Sequence, residues 1–123
     1  MGQRLGQHFL TDENVLKNIV LFAGIKSTDT VIEIGSGHGE LTKYLAGKKF
    51  KNLILIEADR ELVPALKHNF PEAKIVEGDV LETLPSLIRN LKLGIRNSNY
   101  KIVGNIPYYI TGYLFRIIGN LDR

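Results

Sequence analysis

The chain has 123 residues, 44% hydrophobic and 24% charged, with a formal net charge of +3, which describes one small globular domain or one part of a larger one. With no cysteine, disulfides, thiolate zinc sites and cysteine nucleophiles are excluded, and a cytoplasmic location fits. The longest apolar runs, such as Leu53-Ile54-Leu55-Ile56, fall far short of the ~20 residues that cross a bilayer. The start, Met1 to Leu5, runs directly into polar residues, so no signal peptide is read.

Taken in chain order, short β-type runs alternate with helical patterns, the mark of a parallel α/β sheet built from right-handed crossovers. A helix is expected over 12–23, capped by Thr11 or Asp12, with Val15, Leu16, Ile19, Val20 and Phe22 as its apolar face. A first strand over 30–34 stops at the glycine cluster of 35–39, and a helix over 40–46 turns Leu41, Tyr44 and Leu45 inward. The run 52–57 is nearly all apolar, as in a strand buried on both faces. A helix over 60–70 carries Pro64 near its first turn, where proline is tolerated. A third strand over 74–77 ends at Gly78-Asp79, a helix follows over 84–91, a fourth strand spans 100–104, and a last helix spans 111–120. An apolar fourth strand and helix call for further strands beside them, because an open edge invites association. The domain of residues 1–123 is therefore expected to be incomplete. Lys48, Lys49 and Lys51 cluster before the second strand, and Arg89, Lys92, Arg96 and Lys101 follow one another later. The mildly basic balance is compatible with nucleic acid, and the plain reading of both clusters is a solvated surface.

The segment Glu33-Ile34-Gly35-Ser36-Gly37-His38-Gly39-Glu40 carries a strand through three glycines into a helix. Glycine leaves no Cβ between backbone and ligand, although a tight turn alone would look the same. The dinucleotide fingerprint G-x-G-x-x-G sets a pyrophosphate on the helix N-terminus. Here the pattern is G-x-G-x-G, and Glu40 stands where phosphate would sit. A carboxylate there suits a cationic ligand without phosphate, which leans from NAD towards a sulfonium amino-acid nucleoside. Glu57 closes the second strand near the ~20-residue offset at which an acid meets ribose hydroxyls; the alternative is an exposed strand-end acid. Asp79 could take an adenine amino group, or could simply cap a helix.

Gly104-Asn105-Ile106-Pro107-Tyr108-Tyr109 follows the fourth strand. An adenine amine is a poor nucleophile because its lone pair is delocalised into the ring. Acceptors on its two N–H groups, the Asn105 side-chain oxygen and the Ile106 carbonyl, would localise that lone pair. Pro107 holds Ile106 extended and brings no competing N–H. Tyr108 offers a face for base stacking, worth ~1–3 kcal/mol, while Tyr109 reads as a packing residue. Enzymes acting on a base hold it out of its stack in this way.

Asn105 to Tyr108 matches the N-[LI]-P-[YF] motif of amino-group methyltransferases, and Gly6-Gln7-His8-Phe9-Leu10 resembles the N-terminal motif of the ribosomal RNA adenine N6-dimethyltransferases. With Glu33 to Gly39, Glu57 and Gly78-Asp79, the resemblance to that family spans the chain in the right order. It implies a Rossmann-like class I methyltransferase fold, S-adenosyl-L-methionine as cofactor, no metal, and dimethylation of adenines in small-subunit ribosomal RNA coupled to ribosome assembly. It also implies contacts to the cofactor from His8, Leu10, Gly35, Gly37, Glu57, Asp79 and Asn105, with Asn105 and Tyr108 at the target base; His8 replaces the family's common asparagine. Members of the family continue with three more strands and a small helical domain. This chain alone is therefore expected to bind cofactor poorly and to methylate weakly or not at all. Three alternatives stand beside this reading: a large-subunit ribosomal RNA adenine methyltransferase conferring antibiotic resistance, a non-catalytic assembly or RNA-binding factor, and a nicotinamide oxidoreductase.

Overall fold

The computed structural model of the protein describes residues 12–94 and 99–104. Its elements are α1 (Glu13–Ala23), β1 (Asp29–Ile34), α2 (Thr42–Ala46), β2 (Asn52–Glu57), α3 (Val63–Asn69), β3 (Lys74–Glu77), α4 (Val80–Gly94) and β4 (Asn99–Gly104). The four strands form one sheet in the order β3-β2-β1-β4, with every described pairing parallel. The expected strands are present within one residue. The expected last helix and the Asn105 turn lie outside the described residues.

Period-2 alternation builds the two faces. Val31, Leu53, Leu55 and Val103 meet Leu16 and Val20 of α1, Leu45 of α2 and Leu66 of α3 on one side. Ile32, Ile34, Ile54 and Ile56 meet Leu84 and Ile88 of α4 on the other. Each fully buried aliphatic side chain contributes about 1.5–3 kcal/mol. Every residue of β1 is buried, whereas the shorter β3 at the sheet edge is only partly so.

Two expectations are corrected. Phe22 is not on the inward face of α1 but 83% exposed, because at about 100° per residue it lies well off the stripe that carries Leu16 and Val20. The helix expected from Leu84 begins at Val80, with Pro85 inside it. The cause is Asp79, whose Oδ1 accepts from Leu81 N at 2.9 Å while its carbonyl accepts from Thr83 N at 2.8 Å, so the helix starts directly after the strand-end turn.

Candidate functional site

In parallel sheets, ligands bind beyond the carboxyl ends of the strands where the strand order reverses. From β1 the chain proceeds outwards through β2 and β3, then crosses back to place β4 on the other side of β1. The reversal therefore lies between β1 and β4, where Ile34 is in register with Gly104. The glycine loop leaves the first of these residues, and Asn105 is bonded to the second.

The loop is stitched to its neighbours by hydrogen bonds. Gly35 N donates to the Ile56 carbonyl at 2.8 Å, and Gly39 N donates to the Ser36 carbonyl at 2.9 Å. Gly37 N donates to Glu57 Oε1 at 2.6 Å, and Asp59 N donates to Glu57 Oε2 at 2.8 Å. The Glu57 carbonyl accepts from Gly78 N at 2.9 Å, which joins the end of β3 to the same assembly. Gly35, Gly37 and Gly39 hold φ of 67°, 58° and 87°. At Gly39 a Cβ would come 2.8 Å from Phe70 Cε2, so both its backbone and its surroundings require glycine.

The expected residues Gly35, Gly37, Glu57 and Asp79 thus share one rim. Glu57 is nearly buried, and each of its oxygens accepts one backbone bond, leaving lone pairs available on both. Asp79 is exposed and caps α4 through Oδ1; its Oδ2 has no partner among the described residues. Both readings of Asp79, cap and ligand contact, are compatible with that geometry. His8, Leu10, Asn105 and Tyr108 lie outside the described residues.

Beneath the loop is a polar cluster that sequence reasoning passed over. Glu33 is 1% exposed in the middle of apolar β1, with Thr42 Oγ1 donating to its Oε1. Burial pushes its carboxyl up to about 8; the Thr42 and Ser36 hydroxyls oppose that rise, and the charges of Glu40 and Glu57 add to it. The Ser36 hydroxyl lies close enough to ease ionisation yet outside hydrogen-bond geometry, since its Oγ is buried without a partner among the described residues. A charged residue inside the run Val31-Ile32-Glu33-Ile34 was the available signal, because a strand buried on both faces has no solvated side for it. Glu33, Gly35, Ser36, Gly37, His38, Glu40 and Leu41 line a cavity of about 70 Å³. That space admits a small polar group, not a whole nucleoside. A larger apolar groove of about 420 Å³ lies between α1 and β4, bordered by Phe22, Val103 and Gly104. Among the described residues no group of three or more His, Asp or Glu side chains is placed to hold a metal ion, and no helix is long and apolar enough to cross a membrane.

The profile of the family described as "Ribosomal RNA adenine dimethylase" matches residues 2–120. The ribosomal RNA small subunit methyltransferase A of Synechococcus sp. (strain CC9605) is 43% identical over 98% of this chain and 43% of its own length. The chain spans about two fifths of the length of the curated relatives it matches. Among solved structures, a dimethyladenosine transferase from Plasmodium falciparum aligns with a TM-score of 0.56 at 22% identity, covering 76% of this chain and 42% of that one. An RNA methyltransferase from Salinibacter ruber in complex with S-adenosyl-L-homocysteine aligns with a TM-score of 0.54 at 21% identity, covering 76% and 75%. These two likenesses establish a shared methyltransferase fold.

Proposed function

This chain belongs to the ribosomal RNA adenine dimethylase family, and from that premise we propose that it forms the S-adenosyl-L-methionine-binding part of an enzyme that dimethylates the N6 amine of adenines in small-subunit ribosomal RNA. The substrate in the cell would be the RNA of a small-subunit precursor, met in the cytoplasm. The observation that carries the reading is the hydrogen bond from Gly37 N to Glu57 Oε1, which fixes the glycine loop and the strand-end acid as one ligand frame.

The described residues fit the cofactor. The buried Ser36 Oγ lacks a partner among the described residues, Ser36 and Glu40 line the small cavity, and Glu40 and Glu57 offer carboxylates rather than a phosphate cradle. That donor set suits a ligand with ammonium and sulfonium charges. Gly35 and Gly37 would present bare backbone to the cofactor. Glu57 would accept from the ribose hydroxyls through its remaining lone pairs, and Asp79 would take the adenine amino group on Oδ2. His8 and Leu10 would complete the site. When bound, the cofactor supplies an electrophilic methyl group.

The chain's own part in the reaction is to hold and sharpen the nucleophile. The Asn105 oxygen and the Ile106 carbonyl would accept from the target amine and localise its lone pair. Tyr108 would stack the unpaired base, and the amine would release its proton to water after attack. Holding donor and acceptor in line accounts for most of the rate. The parallel register of Ile34 with Gly104 supports this reading, since the two loops begin level on neighbouring strands.

Titration calorimetry with S-adenosylhomocysteine and with NADH tests the cofactor. We expect heat only from the former, weakened at least tenfold by Glu57→Ala. Binding of NADH without S-adenosylhomocysteine would overturn the reading. Tritiated S-adenosylmethionine offered with purified ribosomal subunits tests the substrate, label on large-subunit RNA alone being the contrary result.

A further inference from the structure

The parallel sheet sorts the charges of the described residues by rim. All strand starts lie at one end, and Lys26, Lys48, Lys49, Lys51 and Lys74 stand within three or four residues of the starts of β1, β2 and β3. All five are exposed. Backbone contacts bind the group together: Lys51 N donates to the Asp29 carbonyl at 2.7 Å, and Lys26 N donates to Asp29 Oδ2 at 2.7 Å. Lys67 and His68 occupy the last turn of α3 as it returns to this same end, also exposed. Among the described residues the carboxylates here are Asp29, which is buried and engaged with Lys26 N, and the exposed Glu72. None of the five lysines forms an ion pair among the described residues, where the one salt bridge is Arg60 to Glu77 at 3.7 Å on the opposite rim.

That opposite rim is the crevice, and it gathers Glu40, Glu57, Asp59, Glu77 and Asp79. Such a rim suits a cationic cofactor and repels phosphodiesters. The two rims stand about 17 Å apart along a six-residue strand, beyond the ~8 Å screening length at physiological salt. The carboxylates therefore do not neutralise the lysines. An RNA whose target base must enter an acidic crevice needs its grip elsewhere.

We propose that the amino-end rim, centred on Lys48, Lys49 and Lys51, is a docking surface for the phosphate backbone of RNA, separate from the crevice. The proposal rests on the reading of RNA as substrate. One helical segment of a folded RNA lies across the strand starts while an unpaired adenine of the same RNA is delivered to the far rim. The lysines contribute affinity and no base specificity, because point charges on phosphates carry no sequence information.

The experiment measures binding of the 123-residue chain to a fluorescent RNA hairpin by anisotropy, across a range of potassium chloride concentrations. The triple variant Lys48→Gln, Lys49→Gln, Lys51→Gln is expected to bind about tenfold or more weakly at low salt. Its plot of log affinity against log salt should be shallower by about 2–3, near 0.9 for each phosphate that is no longer neutralised. The pair Lys26→Gln, Lys74→Gln should weaken binding further. Lys17→Gln with Lys43→Gln, exposed lysines of α1 and α2 whose Nζ atoms lie 5.9 and 5.2 Å from the Tyr44 ring, should leave the slope unchanged. An unaltered slope in the triple variant overturns the proposal, as does equal binding to phosphatidylserine vesicles or the absence of RNA binding by the parent chain. S-adenosylhomocysteine affinity, measured on the same proteins, should not move. Weak binding of it by the parent is expected of this chain alone, whereas NADH binding in its place would count against the proposed function and leave the rim result to stand by itself.

Discussion

Glu33 is a carboxyl group lodged where solvent does not reach, and its proton is part of the folded state. Burial raises it to about 8 from an ordinary value of 4.5. The folded chain then holds a proton that the unfolded chain releases, so this group's stabilising contribution is whole below about pH 4.5 and declines until pH passes about 8. Glu33→Gln, neutral at every pH, should flatten the fall in melting temperature between pH 5 and pH 8, read by circular dichroism. Parallel pH curves for the two proteins would show that Glu33 is ionised in the fold. Gly39 and Gly37 predict a graded pair. Gly39→Ala brings a Cβ within 2.8 Å of Phe70 at φ +87° and should cost about 2–3 kcal/mol. Gly37→Ala would place its Cβ no closer than 4.0 Å to Glu40 Oε1 and the Gly35 carbonyl, at φ +58°, and should cost only about 1 kcal/mol. Urea denaturation separates them, and equal losses would mean that Phe70 moves aside freely.

Helix caps set the element scale. Asp12 Oδ1 accepts from Asn14 N at 2.9 Å and from Val15 N at 3.4 Å, so Asp12→Ala should remove about 1 kcal/mol. Asp79 carries two roles that substitution can separate. Asparagine caps as well as aspartate, so Asp79→Asn should keep α4 and its melting temperature. A fall in S-adenosylhomocysteine affinity in that variant then reports the free oxygen, whereas unchanged affinity confines Asp79 to capping. The same residue shows what the sequence could and could not reveal. Gly78-Asp79 was legible as a strand-end turn, because glycine and aspartate are chemically marked there. The start of α4 at Val80 was not, because it depends on one side-chain oxygen turning onto the backbone of Leu81. Phe22 failed for a related reason: the apolar residues of α1 cover more than one face, and only packing against Val31 and Val103 selects the buried stripe.

At the scale of the whole molecule, stability should be graded across the sheet. β1 and β2 are buried almost throughout, while β3 is partly exposed. Amides of residues 30–34 and 53–57 should outlast those of 74–77 in hydrogen exchange by an order of magnitude or more; uniform protection would mean that the sheet opens only as a unit. The parallel sheet and the shared rim were readable in outline from alternating elements and the glycine spacing, whereas the strand order came only with the structure. Glu33 was marked by its place inside an apolar strand and was passed over; the sorting of lysines to one end was not readable, since it arises only once strands distant in sequence lie side by side.

The pairing of Ile34 with Gly104 makes strand length a ruler. Each residue added inside β1 or β4 advances its own loop by about 3.3 Å past the other, more than a near-attack geometry tolerates. Extra residues in the connections at the lysine end leave that alignment untouched. Homologous chains can therefore vary in length freely at one end of this sheet, while at the other a single inserted residue separates the two loops that the proposed reaction needs side by side.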